Sequence, residues 1–310
     1  MRLPAGFHSR FVPCGPVRLH VVCNSEDPVN DPRAPLVFLH GFPEFWVAWE
    51  QVFTALSDDF CFVAPDQRGF NLSDAPAGTE SYMVPRLVDD LASLTGQLLG
   101  ERKYVLCGHD WGASVAYAAS FRFPERIAGL VIANGVHPVL FQRALIDDPQ
   151  QRAASQYIHY LRAPEAAAKM AEDGYRRVFG MFEKFSAAPW LNEELRAEYL
   201  AAWSRPGRME AMLNWYRASP LVVPTPQETN ASAPLAGAPP DRFQVTMPHL
   251  LIWGSADIAL RPTSTKGLEE FAAKLRRMEL EDAGHWLLHT HAPAIAAAIK
   301  AFAGERLAGG

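Results

Sequence analysis

No run of roughly 18 apolar residues occurs anywhere in the 310-residue chain, so nothing in it reads as a membrane-spanning helix. Residues 1–13 hold no apolar stretch of signal-peptide length, and a reduced, cytoplasmic setting is expected. Cysteine is scarce: the four (Cys14, Cys23, Cys61, Cys107) are scattered with no CxxC pair to bind a metal, and Cys61 and Cys107 fall in runs that read as buried strands. Clustered positive charge is missing too. With 29 Lys+Arg against 34 Asp+Glu and a net charge of -5, the chain lacks the basic patch that a phosphate backbone requires, which excludes a nucleic-acid partner. What remains is 49% hydrophobic and 20% charged, ordinary for a globular protein and long enough for one large α/β domain plus an insertion.

The most informative stretch is residues 105–120, VLCGHDWGASVAYAAS. An aliphatic run meets Gly108 and Gly112, and small residues follow at Ala113, Ser114, Ala116, Ala118 and Ala119, which predicts strand, sharp turn and helix. Glycines on either side of Asp110 give the spacing of a nucleophile elbow, in which a strained bend lifts one side chain above a sheet. The usual occupant is serine, and here it is aspartate. A serine needs a base and suits attack on carbonyl carbon. An aspartate, with a reference pKa of about 3.9, is already ionised and can displace at a saturated carbon, leaving an ester that water can cleave. Epoxides and alkyl halides are such electrophiles. The bland alternative is that Asp110 only caps the helix after it.

Runs of β-branched and aromatic residues at 17–23, 36–39, 60–64, 128–133, 249–253 and 278–280 predict further strands, the first of them an edge strand. A helix is expected over 84–99 from the spacing of Val84, Leu87, Val88, Leu91, Leu94 and Leu98. Strands alternating with helices predict an α/β fold with a mostly parallel sheet and helices on both faces. The alternation stops near His137. Helical stretches at 151–161, 164–182, 193–204 and 209–218 then predict an all-helical cap, followed by a return crossing with six prolines between Pro220 and Pro240 and a polar centre at 227–232. The division expected is therefore core 1–137, cap and return 138–245, and core again 246–310.

Strand 36–39 runs into HGFPE at residues 40–44, the loop that supplies one N–H of an oxyanion hole, with the other from the residue after the nucleophile; this assigns the backbone N–H groups of Phe42 and Trp111. Asp66 and Arg68, after the strand at 60–64, are expected to tie down a turn. Past the ends of the last two strands lie Asp257 and His285. The order Asp110, Asp257, His285 matches nucleophile, acid and base in elbow hydrolases, each just beyond a strand's carboxyl end, where open α/β sheets bind ligands. Glu281 and Asp282 are rival acids, but Asp257 sits on a separate loop able to reach the imidazole from behind. His289 and His291, at the start of the terminal helix (292–303), are read as surface or capping residues.

Together HGFPE, DQRGFNLSD (66–74), GHDWG (108–112), LNWYR (213–217) and GHW (284–286) resemble the soluble epoxide hydrolases of the α/β-hydrolase superfamily over roughly residues 11–305. The resemblance implies that two cap tyrosines hydrogen-bond the epoxide oxygen. Tyr216 carries over from LNWYR, and Tyr157 is chosen over Tyr160 by its spacing to Pro164. Ring opening leaves an alkoxide, and a phenol with pKa about 10 can donate to it at neutral pH. Read alone, Tyr216 shares a helical face with Met209, Met212 and Leu213, a face equally suited to packing. The partners expected are a small epoxide and water, without metal or organic cofactor, in a monomer or homodimer. One rival is a dehalogenase using the same nucleophile, although Trp111 and Ser114 stand where the haloacetate type has arginines, and Phe42 where the haloalkane type often has a polar residue. A rival of another class is a non-catalytic ligand receptor on the same fold.

Overall fold

The computed structural model describes residues 3–185, 188–228 and 231–307. Eight strands form one sheet: β1 (His8–Cys14), β2 (Val17–Cys23), β3 (Ala34–Leu39), β4 (Phe60–Pro65), β5 (Tyr104–His109), β6 (Ile127–Ala133), β7 (His249–Gly254) and β8 (Leu275–Leu280). Their spatial order is β1-β2-β4-β3-β5-β6-β7-β8. The first two pairings, β1 with β2 and β2 with β4, are antiparallel, and every later one is parallel. Strands β3 to β7 are buried along almost their whole length because helices cover both faces, hence their unbroken apolar runs.

Helices α1 (Glu50–Thr54), α2 (Val84–Leu99) and α3 (Trp111–Arg122) belong to the first half of the sheet, and α10 (Leu287–Thr290) and α11 (Ala292–Leu307) follow its last strand. The apolar face of α2 is set by its 3.6-residue period: Leu87, Val88, Leu91, Leu94 and Leu98 are all buried. Between β6 and β7 the chain has no strand among the described residues. It forms α4 (Pro138–Asp147), α5 (Pro149–Ala154), α6 (Tyr157–Arg162), α7 (Ala166–Phe185), α8 (Glu193–Trp203) and α9 (Arg208–Ala218).

Three expectations need correction. The stretch at 17–23 is not the edge: β1 lies outside it, pairing Ser9 with Val22 and Phe11 with His20. Pro13 and the exposed alternate side chains of β1 disguise that strand in the sequence, and a proline is tolerated there because an edge strand has one row of N–H groups without a ladder partner. The single helix expected over 151–161 is two, separated at Ser155 and Gln156. The stretch at 164–182 is likewise interrupted, at Asp173, Gly174 and Tyr175, which have positive φ. Of the polar centre at 227–232, residues 229 and 230 lie outside the described residues. Asp66 and Arg68 do brace turns: Asp66 accepts from the Trp46 N–H (3.1 Å) and Asn71 Nδ2 (2.9 Å), and Arg68 clasps Asp90 of α2 with Nε and Nη2 (2.7 and 2.6 Å).

At the amino end of β7, His249 Nδ1–H donates to the Leu130 carbonyl (3.1 Å) while the Tyr117 hydroxyl donates to its Nε2 (3.0 Å). Burial pushes both His249 and the neighbouring His137 down to about 4. Unfolded, these rings would protonate near pH 6.5, so the stability conferred by keeping them neutral is complete above that pH and drains as pH falls toward 4. Each ring should withdraw about 1–2 kcal/mol between pH 6.5 and 5. Urea midpoints measured at pH 7.5, 6 and 5 should fall across the last interval; an unchanged midpoint at pH 5 contradicts the assignment.

Candidate active site

β5 ends at His109, and the chain turns sharply into α3 through Asp110, whose φ of 51° and ψ of -120° are unusual for any residue but glycine. The bend is possible because its neighbours are stripped to hydrogen. A Cβ on Gly112 would run into the Leu39 carbonyl oxygen, and one on Gly41 into the Asp110 carboxylate. The Asp110 carboxylate is thereby held against the loop after β3, where the Phe42 N–H donates to Oδ1 at 2.8 Å. Trp111 opens α3, so its N–H is among the first-turn donors that an α-helix leaves without an intrahelical acceptor.

His285 stands on the other side of the carboxylate. Its Nε2 lies 3.6 Å from Asp110 Oδ2, and its Nδ1 is 2.7 Å from Asp257 Oδ2. Asp257 is itself fixed from three directions: Oδ1 accepts the Ala259 and Leu260 N–H groups (2.8 and 2.9 Å), and Oδ2 also accepts Asn134 Nδ2 (2.9 Å). The rival acids Glu281 and Asp282 are exposed. Burial works against a charged imidazole, but the Asp257 and Asp110 carboxylates outweigh it and raise His285 to about 10. Burial likewise opposes ionisation of Asp110, yet His285, His109 and the Phe42 N–H together keep it below the usual carboxylate range. The resting pair is an aspartate anion beside an imidazolium.

Tyr157, the first residue of α6, and Tyr216, near the end of α9, line the same cavity as Asp110 and Trp111. Their rings meet edge to face with centroids 6.4 Å apart, and Tyr216 also stands edge to face on Phe42 and Trp111 at 5.2 and 5.1 Å. Burial, reinforced by the Asp110 charge, pushes both phenols above the ordinary tyrosine range, so they remain protonated donors. Tyr160 is 36% exposed and does not line this cavity.

Sequence reasoning passed over a second layer of polar residues. Asn134, held at φ 34°, donates Nδ2 to Asp257 and to the Gly284 carbonyl (3.1 Å), while its Oδ1 accepts the Gly254 N–H (2.7 Å); one amide spans β6, β7 and the His285 loop. Glu44 of the HGFPE loop is buried and accepts the Tyr199 hydroxyl of α8 and His289 Nε2, both at 2.6 Å on Oε1. His289 is therefore a buried partner of a carboxylate and not a surface or capping residue. It stacks on Trp190 with ring centroids 3.8 Å apart. The hint was available: three histidines within seven residues, on a segment that had to pack beside the elbow. His109 completes the layer, donating Nε2–H to the His285 carbonyl at 2.9 Å, and burial, then the His285 charge, pushes its own ring down to about 4.

Among the described residues no cluster of three or more metal-ligating side chains occurs, and no helix is long and apolar enough to cross a membrane. Removing the hydroxyl that Tyr199 lends to the buried Glu44 should cost about 1.5–3 kcal/mol of stability, as for a hydrogen bond to a buried charge. Chemical denaturation of Tyr199→Phe against the parent protein measures it, and equal midpoints would mean that Glu44 is already satisfied by His289.

Comparison with known proteins bears on the fold and the family. Residues 34–292 match the family model described as alpha/beta hydrolase fold. The chain is 33% identical over 290 residues to the AB hydrolase superfamily protein YfhM of Bacillus subtilis (strain 168), covering 92% of this chain and 93% of that one. It is 30% identical over 327 residues to Epoxide hydrolase A of Mycobacterium tuberculosis, covering 94% and 96%. Among solved structures, one from work on novel epoxide hydrolases of the alpha/beta hydrolases superfamily in metagenomes from hot environments superposes with a TM-score of 0.85 at 34% identity, covering 96% of this chain and 98% of that one.

Proposed function

The chain belongs to the α/β-hydrolase fold family, and on that premise we propose that it hydrolyses epoxides to vicinal diols through a covalent ester on Asp110. The observation that carries the reading is an aspartate on the elbow, 3.6 Å from the His285 ring that Asp257 holds, and sharing its cavity with Tyr157 and Tyr216. A serine elbow would need His285 as a base at the outset. Here His285 starts as a cation and cannot accept a proton, which suits a nucleophile that needs none removed.

In the first half-reaction Asp110 attacks an epoxide carbon. The C–O bond to the ring oxygen breaks, and Tyr157 and Tyr216 stabilise the alkoxide by donating their hydroxyl protons. Esterification removes the negative charge on Asp110, one of the two carboxylates that hold His285 protonated. Its pKa falls, the proton leaves toward the alkoxide side of the site, and the ring becomes the base for the second half. His285 then takes a proton from water, the hydroxide adds to the ester carbonyl of Asp110, and the Phe42 and Trp111 N–H groups bind the oxyanion; its collapse breaks the bond to the alkoxide oxygen, which takes the proton of the added hydroxyl, and the diol departs leaving Asp110 an anion and His285 a cation. The step needs only substrate and water.

The same reading treats 138–245 as a cap inserted between core segments 1–137 and 246–310, since α6 and α9 bring the two tyrosines over the elbow. It sets the enzyme in the cytoplasm, as a monomer or homodimer.

Replacing His285 by Gln should let the ester form and block its hydrolysis. Intact-protein mass spectrometry after exposure to 1,2-epoxybutane should then show one stoichiometric adduct, mapping to the peptide with Asp110; a folded variant that stays unmodified contradicts the mechanism. Tyr216→Phe should slow ester formation by about a hundredfold, the usual cost of one electrophilic donor, with little change in ester hydrolysis. Single-turnover kinetics separates the two steps.

A further inference from the structure

The cavity in front of Asp110 is small. Its volume is about 50 Å³, several-fold below the ~300–1,000 Å³ of pockets that enclose drug-sized ligands. Beyond the residues already given chemical roles, its walls are Val136, Phe141, Ile158, Leu221 and Leu260, with Ser114 the remaining polar group.

The walls carry no cation among the described residues. Arg162, on the same helix as Tyr157, is committed elsewhere: its Nε donates to the Tyr216 carbonyl and its Nη2 to the Leu221 carbonyl, both at 2.9 Å. The Asp110 carboxylate therefore faces the cavity with no positive charge on the substrate side, His285 being behind it. An anionic group on the substrate, at about 6 Å and an effective dielectric near 20, would be disfavoured on the order of a hundredfold. A long or doubly aromatic substituent would have to displace Ile158 and Leu221, and the segment bearing Leu221 is bound back to α4 by Gln142, which donates Nε2–H to the Val222 carbonyl (2.8 Å) and accepts the Val222 N–H (2.9 Å).

From the small volume and the cation-free walls we infer that the enzyme favours compact, uncharged epoxides and discriminates against both bulk and carboxylates. The inference rests on the epoxide reading above and sharpens it. Two matched comparisons test it. For size, kcat/KM for 1,2-epoxybutane should exceed that for trans-stilbene oxide at least tenfold, and Leu221→Ala should narrow that ratio at least fivefold by opening the wall. For charge, 3,4-epoxybutanamide should exceed the isosteric 3,4-epoxybutanoate about a hundredfold at pH 7.5. Equal or better turnover of trans-stilbene oxide by the parent enzyme overturns the size limit, and equal turnover of the epoxybutanoate overturns the charge limit; either leaves the epoxide reading standing. If no diol forms from any of these and the His285→Gln variant takes up no adduct, the epoxide reading itself falls and the specificity falls with it.

Discussion

Everything in the site answers to one electrostatic demand, the burial of a carboxylate under apolar and aromatic side chains. An isolated buried anion costs far more than the protein's whole stability margin, so it must be paired. His285 supplies the counter-charge, but a buried imidazolium between Asp110 and Asp257 leaves a net negative group of three, and the remaining satisfaction comes from fixed N–H donors. Asp110 takes one from Phe42 and Asp257 takes two from Ala259 and Leu260, with a third bond from Asn134. The division matters for the proposed chemistry. Asp257, with four donors around it, has its oxygens occupied and is poorly placed to attack, while Asp110 has fewer donors and faces the cavity. Two chemically identical side chains are thus separated into orienter and nucleophile by their hydrogen bonds.

The primary site was legible in the sequence because its members sit next to markers that survive without the fold. Asp110 is framed by glycines whose absence of side chains the bend requires, and Asp257 and His285 each follow a strand by a few residues. Strands β3 to β7 read plainly for a related reason: two-sided burial leaves continuous apolar runs. The second layer was not legible, because its partners are brought together only by the sheet order. Glu44 and His289 are 245 positions apart, Asn134 and Asp257 123, and neither pair has a periodicity or motif linking its halves. The edge strand β1 escaped for the opposite reason: being half exposed and carrying Pro13, it has too little apolar character to stand out. In the helical region, apolar spacing runs on across breaks that the backbone makes at Ser155–Gln156 and at Asp173–Tyr175, and side-chain period alone does not register a turn that keeps the same face inward.

The helices over the site are joined to the sheet at the loops that carry the reacting groups. On one side, the Tyr199 hydroxyl bonds Glu44, Trp203 Nε1–H donates to the Pro43 carbonyl (2.7 Å), and Trp215 Nε1–H to the Arg68 carbonyl (2.9 Å), so α8 and α9 are fastened to the turns after β3 and β4. On the other, Gln151 of α5 donates to the Ala259 carbonyl (2.8 Å) and accepts both the Arg261 N–H (2.7 Å) and the Ser264 hydroxyl (2.8 Å), fastening it to the loop that begins with Asp257. Each buried bond of this kind is worth about 1 kcal/mol on its own. Their larger effect is geometric: α9, which carries Tyr216, is referenced to the turn after β4, and α5, which leads into the start of α6 at Tyr157, to the loop bearing Asp257. A clamp built from two helices can hold one oxygen only if the helices share a frame with the nucleophile, and a displacement of about 1 Å in such a constellation costs on the order of a hundredfold in rate. Two of the three anchors thus reach loops that carry reacting groups, those bearing Phe42 and Asp257, and the third fixes α9 on the neighbouring turn at Arg68.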